Sequence, residues 1–452
     1  MPTMADYLKA DTRPVPEIFT ERSFRRDIGS APVPKEPYVS AEYAQLEMDR
    51  LWMKVWQVAC REREIPNPGD YQEYTIGDQS VLVVRQRNGE IKAHANACIH
   101  RGTQLRQGMG NTQSFVCRFH KWEYDIDGTL VDVPCRWDFP VLGDKTHTLS
   151  PVRVDTWQGF VFVNFDDAAI PLDEFIGEPV LEHFDKFPLR NRVKTGHVGK
   201  WVNTNWKNGL NAFIESYHPY ATHPQVMLHA GDCSTQYDLF DWHSRFIAPI
   251  AVPSPHVDRP VDARMIIESQ MHGKMVAGLK GGAEEDIEEG LAAGKPAREI
   301  MADFARKKLS ARTGRDYSQR SDTEMLDGVL YFLFPNLCPW LGEGFPLVYR
   351  SRPRADLHPE WSLFEVMYLQ DFGDTDELPP DVPMTLLQAD EPWQMAADQL
   401  GALAPILDQD IPNMVGQTMG LRNRRFEQLM YSEYQENICR HFQKNVERFV
   451  GR

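Results

Sequence analysis

Apolar residues recur along this chain with two different periods, and the switches between them divide it. From Ser40, a residue suited to cap a helix, Tyr43, Leu46, Met48, Leu51, Trp52, Val55 and Trp56 fall at roughly helical intervals and predict a short amphipathic helix. Alternation by two then takes over. Segments 71–76, 80–86 and 90–97 are rich in β-branched and aromatic residues, with Asn88-Gly89 as a hairpin turn between the last two. Segment 124–130 reads as a further hairpin, and 152–154 and 159–165 as further strands, the last carrying the buried run Val161-Phe162-Val163. Polar residues and Pro171 mark an exit near 168. Residues 57–168 are therefore expected to form a small all-β domain. Residues 1–39, with Pro14, Pro16, Pro32, Pro34 and Pro37, read as an extended lead-in, so that 1–56 is an arm and helix packing on the larger domain that begins at 169.

Beyond 168 the two patterns alternate. A helical pattern at 172–184 precedes a strand at 193–202, a helix from Asn205 to His218, and aromatic-rich loops and strands over 224–260. Segment 282–315 is charged and alanine-rich and reads as one or two exposed helices, an insertion serving as lid or interface or, in the plainer reading, a solvated face. Strands follow at 328–334, 347–352 and 362–370, then a helix at 391–410 and a closing amphipathic helix over 421–449, marked by Phe426, Met430, Tyr434, Ile438, Phe442, Val446 and Phe449. The expected class is α+β: the all-β domain, then a larger α+β domain over 169–452 whose antiparallel sheet is flanked by helices.

Composition narrows the function. The 452 residues are 42% hydrophobic and 25% charged, enough for substantial cores. A net charge of −16 argues against nucleic acid as the main partner. Apolar runs such as 329–334 are too short to span a bilayer, and Met1 to Phe19 shows no apolar leader segment, so no membrane is expected and the cytoplasm is the expected compartment. Seven cysteines, an odd number spread over a long chain, do not resemble a disulfide framework.

Two constellations carry chemistry. In the first, Glu215, His218 and His223 lie within nine residues of an apolar and aromatic run. A helix ending at Pro219 sets Glu215 and His218 on one face and lets the chain return His223 toward them. Two imidazoles awaiting a carboxylate suit an Fe(II) site with open positions, whereas the plainer reading makes both histidines core residues. In the second, Cys98-x-His100 and Cys117-x-x-His120 are paired loops whose two thiolates and two imidazoles could hold zinc or a [2Fe-2S] cluster. Zinc fingers and ribbons pair like ligands within a loop, and mixed Cys/His loops favour the cluster.

Cys98-x-His100-Arg101-Gly102, then Cys117-x-x-His120-x-Trp122-x-Tyr124-Asp125-x-x-Gly128-x-Leu130, resembles the Rieske motif of the Rieske non-haem iron oxygenases. Asn205-Trp206-Lys207 through His223 resembles the mononuclear iron motif of the same family's large oxygenase subunit, and the two stand in the family's order. The resemblance implies that Cys98 and Cys117 bind one cluster iron, that His100 and His120 bind the other, and that His218 and His223 hold a mononuclear Fe(II). Asp410, followed by Asn413-Met414, is similar to the family's third ligand; Asp408 is the competing candidate and reads as solvated. Glu215 falls at the family's conducting carboxylate, bridging an iron histidine (His218) and a cluster histidine (His120) of a neighbouring subunit in a head-to-tail trimer, α3 or α3β3 with a small β subunit. Leu210 departs from the pattern where a second carboxylate is common.

No Gly-x-Gly-x-x-Gly follows a strand, so electrons from NAD(P)H are expected only indirectly, through a separate reductase or ferredoxin. Phe213, Tyr217, Met227, Leu228 and Trp340 are the candidate pocket residues, and their character suggests an aromatic or hydrophobic substrate. The expected activity is mono- or dihydroxylation or oxidative demethylation of such a molecule. The Glu215-x-Tyr217-His218 variant is also similar to quaternary-amine (carnitine- or choline-like) oxygenases, ranked second because the sequence places no tryptophan-rich cation cage. From another class, a non-redox protein with a structural Cys2His2 site remains the alternative.

Overall fold

In the computed structural model, which describes residues 2–22, 28–272, 284–342, 344–375 and 377–451, most of the predicted strands pair as expected. A seven-stranded antiparallel sheet runs, in spatial order, Gln57–Arg61, Phe160–Asn164, Pro151–Trp157, Ile91–Ala95, Gln79–Arg85, Asp70–Ile76 and Met109–Asn111. A three-stranded sheet, Ser114–Val116, Glu123–Asp125 and Leu130–Asp132, lies beyond it. Strand Gln79–Arg85 explains why Val81-Leu82-Val83-Val84 is continuously apolar. Successive side chains point to opposite faces, so Val81 and Val83 join the large core of the molecule, while Leu82 and Val84 join a smaller one with Cys98, Phe115, Cys117, Trp122 and Tyr124.

The second large sheet has eight strands in the order Gln236–Leu239, Ser244–Ala248, Gly328–Phe332, Leu337–Leu341, Leu347–Pro353, Ser362–Gln370, Val193–Val202 and Thr385–Leu387. Every neighbouring pair is antiparallel except the last. Helix Trp206–Asn211 lies on strands Leu347–Pro353 and Ser362–Gln370. Gly209 permits that approach, since a Cβ there would meet Ser351 Oγ at 3.3 Å. The molecule is thus α+β, a β-rich N-terminal part followed by an antiparallel sheet with helices.

Several predicted elements differ. The lead-in is not simply extended: it holds the short helices Met4–Lys9, Glu17–Thr20 and Glu36–Val39, and its strand Val33–Pro34 pairs with Gln428–Leu429. That pairing holds 428–429 extended, so the closing helix begins late. It spans only Asn437–Val450, and Phe426, Met430 and Tyr434 are exposed on irregular chain. The helix expected over 391–410 begins only at Leu403 and continues through Pro412 to Leu421, so Asp410 sits within it, not at its end. The expected exposed insertion holds two helices: Glu284–Ala292 presents Glu285, Glu288 and Glu289 to solvent, but Ala297–Thr313 is packed, with Ile300, Met301, Phe304 and Leu309 buried and Arg298 and Arg306 buried against Asp327 and Asp322. Their charges suggested a surface because sequence does not show their partners; residues 282 and 283 lie outside the described residues. Among the described residues no helix is long and apolar enough to cross a membrane.

Candidate metal centres

The two Cys/His loops share one backbone design. The Cys98 N–H donates to the Thr103 carbonyl at 2.9 Å, and the Gly102 N–H returns to the Cys98 carbonyl at 2.8 Å. The Cys117 N–H donates to the Trp122 carbonyl at 2.8 Å, and the Lys121 N–H returns to the Cys117 carbonyl at 2.9 Å. The return residue has a positive φ in both loops, 73° at Gly102 and 59° at Lys121, a conformation natural to glycine and uncommon for lysine. These curls set the His100 and His120 rings 4.7 Å apart, with His100 stacked on Trp122 at 4.7 Å between centroids.

The donor set fits a cluster. Burial raises the Cys98 thiol, and Tyr124 Oη lies 3.1 Å from its sulfur. Burial also disfavours the Cys117 thiolate, but the backbone N–H groups of Phe119 and His120, aimed at that sulfur, outweigh it and lower the thiol. Amide donors to sulfur are what a sulfur-bridged iron pair requires. Desolvation first, then the proximity of His120 and Arg101, keeps the His100 pKa below its ordinary value, so its lone pair is free. His120 Nδ1 is buried with no hydrogen-bond partner, an orphan that a metal would satisfy.

The second centre assembles differently from the helical expectation. Helix Trp206–Asn211, capped by the Asn205 side chain accepting from the Lys207 N–H at 3.0 Å, stops four residues before Glu215. Glu215 and His218 meet across an irregular turn: Glu215 Oε2 accepts the N–H groups of Tyr217 and His218, and Oε1 accepts from His218 Nδ1 at 2.7 Å. Pro219 starts the four-residue helix Pro219–Thr222, which swings His223 round. His223 Nδ1 donates to Gln409 Oε1 at 2.7 Å, and Gln225 Nε2 donates to the same oxygen. Each Nδ1 is thereby held by an oxygen, and each Nε2 faces Asp410 Oδ1, at 3.8 Å from His218 and 3.1 Å from His223. The donor atoms of these three residues lie within 4.8 Å of one another, and Asp410 Oδ2 is buried without a partner. Two nitrogens and a carboxylate oxygen with their outer nitrogens tethered fit a divalent iron. Burial opposes charging His218, yet the charges of Glu215 and Asp410 prevail and raise its pKa, so the site attracts a cation.

Asp408 has another task. It is not merely solvated, because it accepts the Trp393 and Gln394 N–H groups at 2.7 and 3.2 Å and so caps that turn. Among the described residues of one chain, no hydrogen bond or ion pair joins Glu215 to His100 or His120. Phe213 stacks on Phe364 and meets Tyr349 at a tilt, Met227 is buried, Leu228 is half-buried, and Tyr217 is 49% exposed. Trp340 packs on Phe246 and Phe345 with its Nε1 buried and unpartnered. Sequence reasoning missed Gln409, Tyr124 and Asn208, whose side-chain amide is buried without partners one turn into the helix. Only Tyr124 had a visible mark, as part of the motif around Cys117 and His120.

The family described as "Rieske [2Fe-2S] domain" matches residues 55–143, and that described as "Ring hydroxylating alpha subunit (catalytic domain)" matches residues 177–452. The alpha subunit of chlorobenzene dioxygenase from Cupriavidus sp. is 34% identical over 47% of this chain and 47% of its own length. The alpha subunit of benzene 1,2-dioxygenase from Pseudomonas putida is 35% identical over 41% of this chain and 42% of its own. The matched part of the chain thus spans about half the length of these curated relatives. In overall fold, the chain is similar to a quaternary ammonium Rieske monooxygenase solved with L-carnitine (TM-score 0.64, 15% identity, 95% of this chain and 100% of that one). It is also similar to naphthalene 1,2-dioxygenase from Rhodococcus sp. bound to indole (TM-score 0.58, 19% identity, 93% and 94%).

Proposed function

The chain belongs to the ring-hydroxylating alpha subunits, with a Rieske [2Fe-2S] domain ahead of the catalytic one, and from that premise we propose that it is the terminal oxygenase of a multicomponent system. Such a protein carries a [2Fe-2S] cluster and a non-haem Fe(II). We assign residues 57–168 to the cluster domain, 169–452 to the catalytic domain and 1–56 to an arm on the latter. Cys98 and Cys117 would hold one cluster iron, His100 and His120 the other, and His218, His223 and Asp410 the mononuclear ion. When bound, the cluster stores single electrons and the ferrous ion provides the place where dioxygen is activated.

The protein's own part is positional. Glu215 and Gln409 fix the tautomer of the two histidines, leaving Nε2 free to ligate. Asp410 contributes the negative charge that offsets the ion's. Phe213, Tyr217, Met227, Leu228 and Trp340 are the candidate pocket residues, and Glu215 is the candidate electron bridge. Two electrons and two protons accompany each dioxygen consumed, delivered from NAD(P)H by a separate reductase, with or without a ferredoxin. The substrate in this reading is an aromatic or similarly hydrophobic small molecule that is hydroxylated or oxidatively demethylated in the cytoplasm, and the assembly is a homotrimer or α3β3.

The observation that carries this reading is the convergence of both Nε2 atoms on one buried carboxylate, downstream of the paired Cys/His loops. A quaternary amine is the second reading, favoured by glutamate standing at position 215. Reconstituted protein with a reductase and labelled dioxygen, offered aromatic acids and hydrocarbons beside carnitine and choline, separates them. Label in an aromatic product supports the first reading; label in none of the panel sinks both.

A further inference from the structure

Outside the two candidate iron centres, one other group of donors converges among the described residues. Asp232, Cys233 and His256 each bring a donor atom within 4.8 Å of the others, and Cys233 Sγ stands 2.8 Å from His256 Nε2. Two segments supply them, joined by a bridge between Ala230 and Ile250 and by the Gly231 N–H donating to the Pro249 carbonyl at 2.9 Å. Ser254 locks both ends of the set: its hydroxyl donates to Asp232 Oδ1 at 2.7 Å and accepts the His256 N–H at 3.0 Å. The Cys233 carbonyl accepts from Gln435 Nε2 at 3.2 Å, and the His256 ring rests on Tyr220 at 4.3 Å between centroids.

One atom in this arrangement is unexplained by the protein alone. Asp232 is 1% exposed, and with Oδ1 taken by Ser254 its Oδ2 is buried without a hydrogen-bond partner. No ion pair reaches Asp232 among the described residues. A buried carboxylate oxygen in that state is costly, and a cation held between it, the thiol and the imidazole would relieve the cost. A reactive-thiol reading fails on the same environment. Burial and the Asp232 charge push the Cys233 thiol up to about 11, the reverse of what an activated thiolate needs. A metal can replace that proton, as it does whenever a thiol becomes a ligand.

We propose that Asp232, Cys233 and His256 form a further metal site that takes a zinc(II)-class ion through one thiolate, one imidazole and one carboxylate, with a fourth position open to solvent. The sulfur excludes magnesium and calcium, which take oxygen ligands, and distinguishes this site from the nitrogen and oxygen donors around Asp410. Through His256 and Tyr220 its occupancy bears on the short helix between His218 and His223.

The test uses the iron-loaded holoprotein with its cluster spectrum intact, equilibrated with zinc(II), desalted, and read by elemental analysis and zinc-edge X-ray absorption. One zinc per chain beyond the iron is expected, with a sulfur neighbour at about 2.3 Å. Cys233→Ser should lose the sulfur neighbour and retain zinc at least about tenfold more weakly, with iron and cluster content unchanged. His256→Ala, a change at an exposed ring, should weaken retention likewise and serves if the first variant does not fold. Zinc lost from His218→Ala instead, zinc surrounded only by nitrogen and oxygen, or no zinc beyond the iron would each overturn the site.

Discussion

A histidine becomes a usable ligand when something fixes which nitrogen carries the proton, and here that is done by Glu215 for His218 and by Gln409 for His223. The two partners were not equally legible. Glu215 stands three residues from its histidine, so spacing alone found the pair, even though a turn and not a helix face joins them. Gln409 is 186 residues from His223, and a glutamine beside an aspartate carries no chemical mark of its own. The two proposed histidine ligands stand close in the chain and their spacing picks them out; Asp410 needed the third-ligand argument, and its donor atom lies within 4.8 Å of theirs while Asp408 caps the turn at Trp393. Gln409→Ala should therefore lower iron affinity about 10- to 100-fold while Gln409→Glu, which keeps the acceptor, loses less. Competition with a chelator, followed by iron analysis with the cluster spectrum as internal control, measures this. Equal retention in Gln409→Ala and the parent would show that Gln409 does not orient His223.

Elements are legible where local chemistry reinforces their periodicity and illegible where tertiary pairing shortens or extends them. The helix after Ser40 is real, capped by Ser40 Oγ accepting from the Tyr43 N–H at 3.2 Å, but its purpose shows only in three dimensions. Its Glu47 forms a buried ion pair with Lys207 and accepts from Trp206 Nε1 at 2.9 Å, pinning this helix to the one that leads toward Glu215 and His218. Removing one partner strands the other charge in the core. Lys207→Met should cost about 3–5 kcal/mol in denaturant unfolding, and pairing it with Glu47→Gln should recover much of that loss. Additive losses would mean that the pair is not coupled. His243 plays a comparable part between helix Leu172–Ile176 and the end of strand Gly328–Phe332. Its Nε2–H donates to the Phe175 carbonyl at 3.0 Å, and its Nδ1 accepts the Phe334 N–H at 3.0 Å, so only the neutral ring satisfies both. Burial lowers its pKa to about 4, from an ordinary value near 6.5. The unfolded chain takes up a proton below 6.5 that the folded one refuses, so this stability is complete above 6.5 and drains away as pH falls toward 4. A non-titrating His243→Gln should be the less stable at pH 7, with its deficit shrinking by about 1.4 kcal/mol per pH unit across that window. Parallel stability curves would exclude His243 as the titrating group.

At the scale of the whole molecule, the two large sheets are tied to each other by cations that bridge them. Arg350 and Arg352 both bind Glu365 in the eight-stranded sheet and donate to the Val58 carbonyl at 2.9 Å and the Thr75 carbonyl at 3.0 Å in the seven-stranded one. Arg61 reaches back to the Leu189 and Arg192 carbonyls at 3.1 and 2.9 Å. None of this placement is legible in the sequence, because the residues that set it lie between 128 and 292 positions apart and carry no local signal of one another. Its consequence is a fixed separation of tasks within one chain. Glu215 is committed to His218 and, among the described residues, makes no hydrogen bond or ion pair to His100 or His120, while the surface around the two Cys/His loops exposes Ile99 and Phe119, with Arg101 over the Phe119 ring. If the cluster of one chain serves the iron of the next, as the family resemblance implies, a chain without a cluster and a chain without its iron can complement each other. Co-expressing Cys117→Ala with His218→Ala should then restore turnover that neither variant shows alone, because some interfaces join an intact cluster to an intact iron centre. If each cluster serves only its own chain, every chain in the mixture lacks one of its two centres and turnover stays at background, whatever the subunits assemble into.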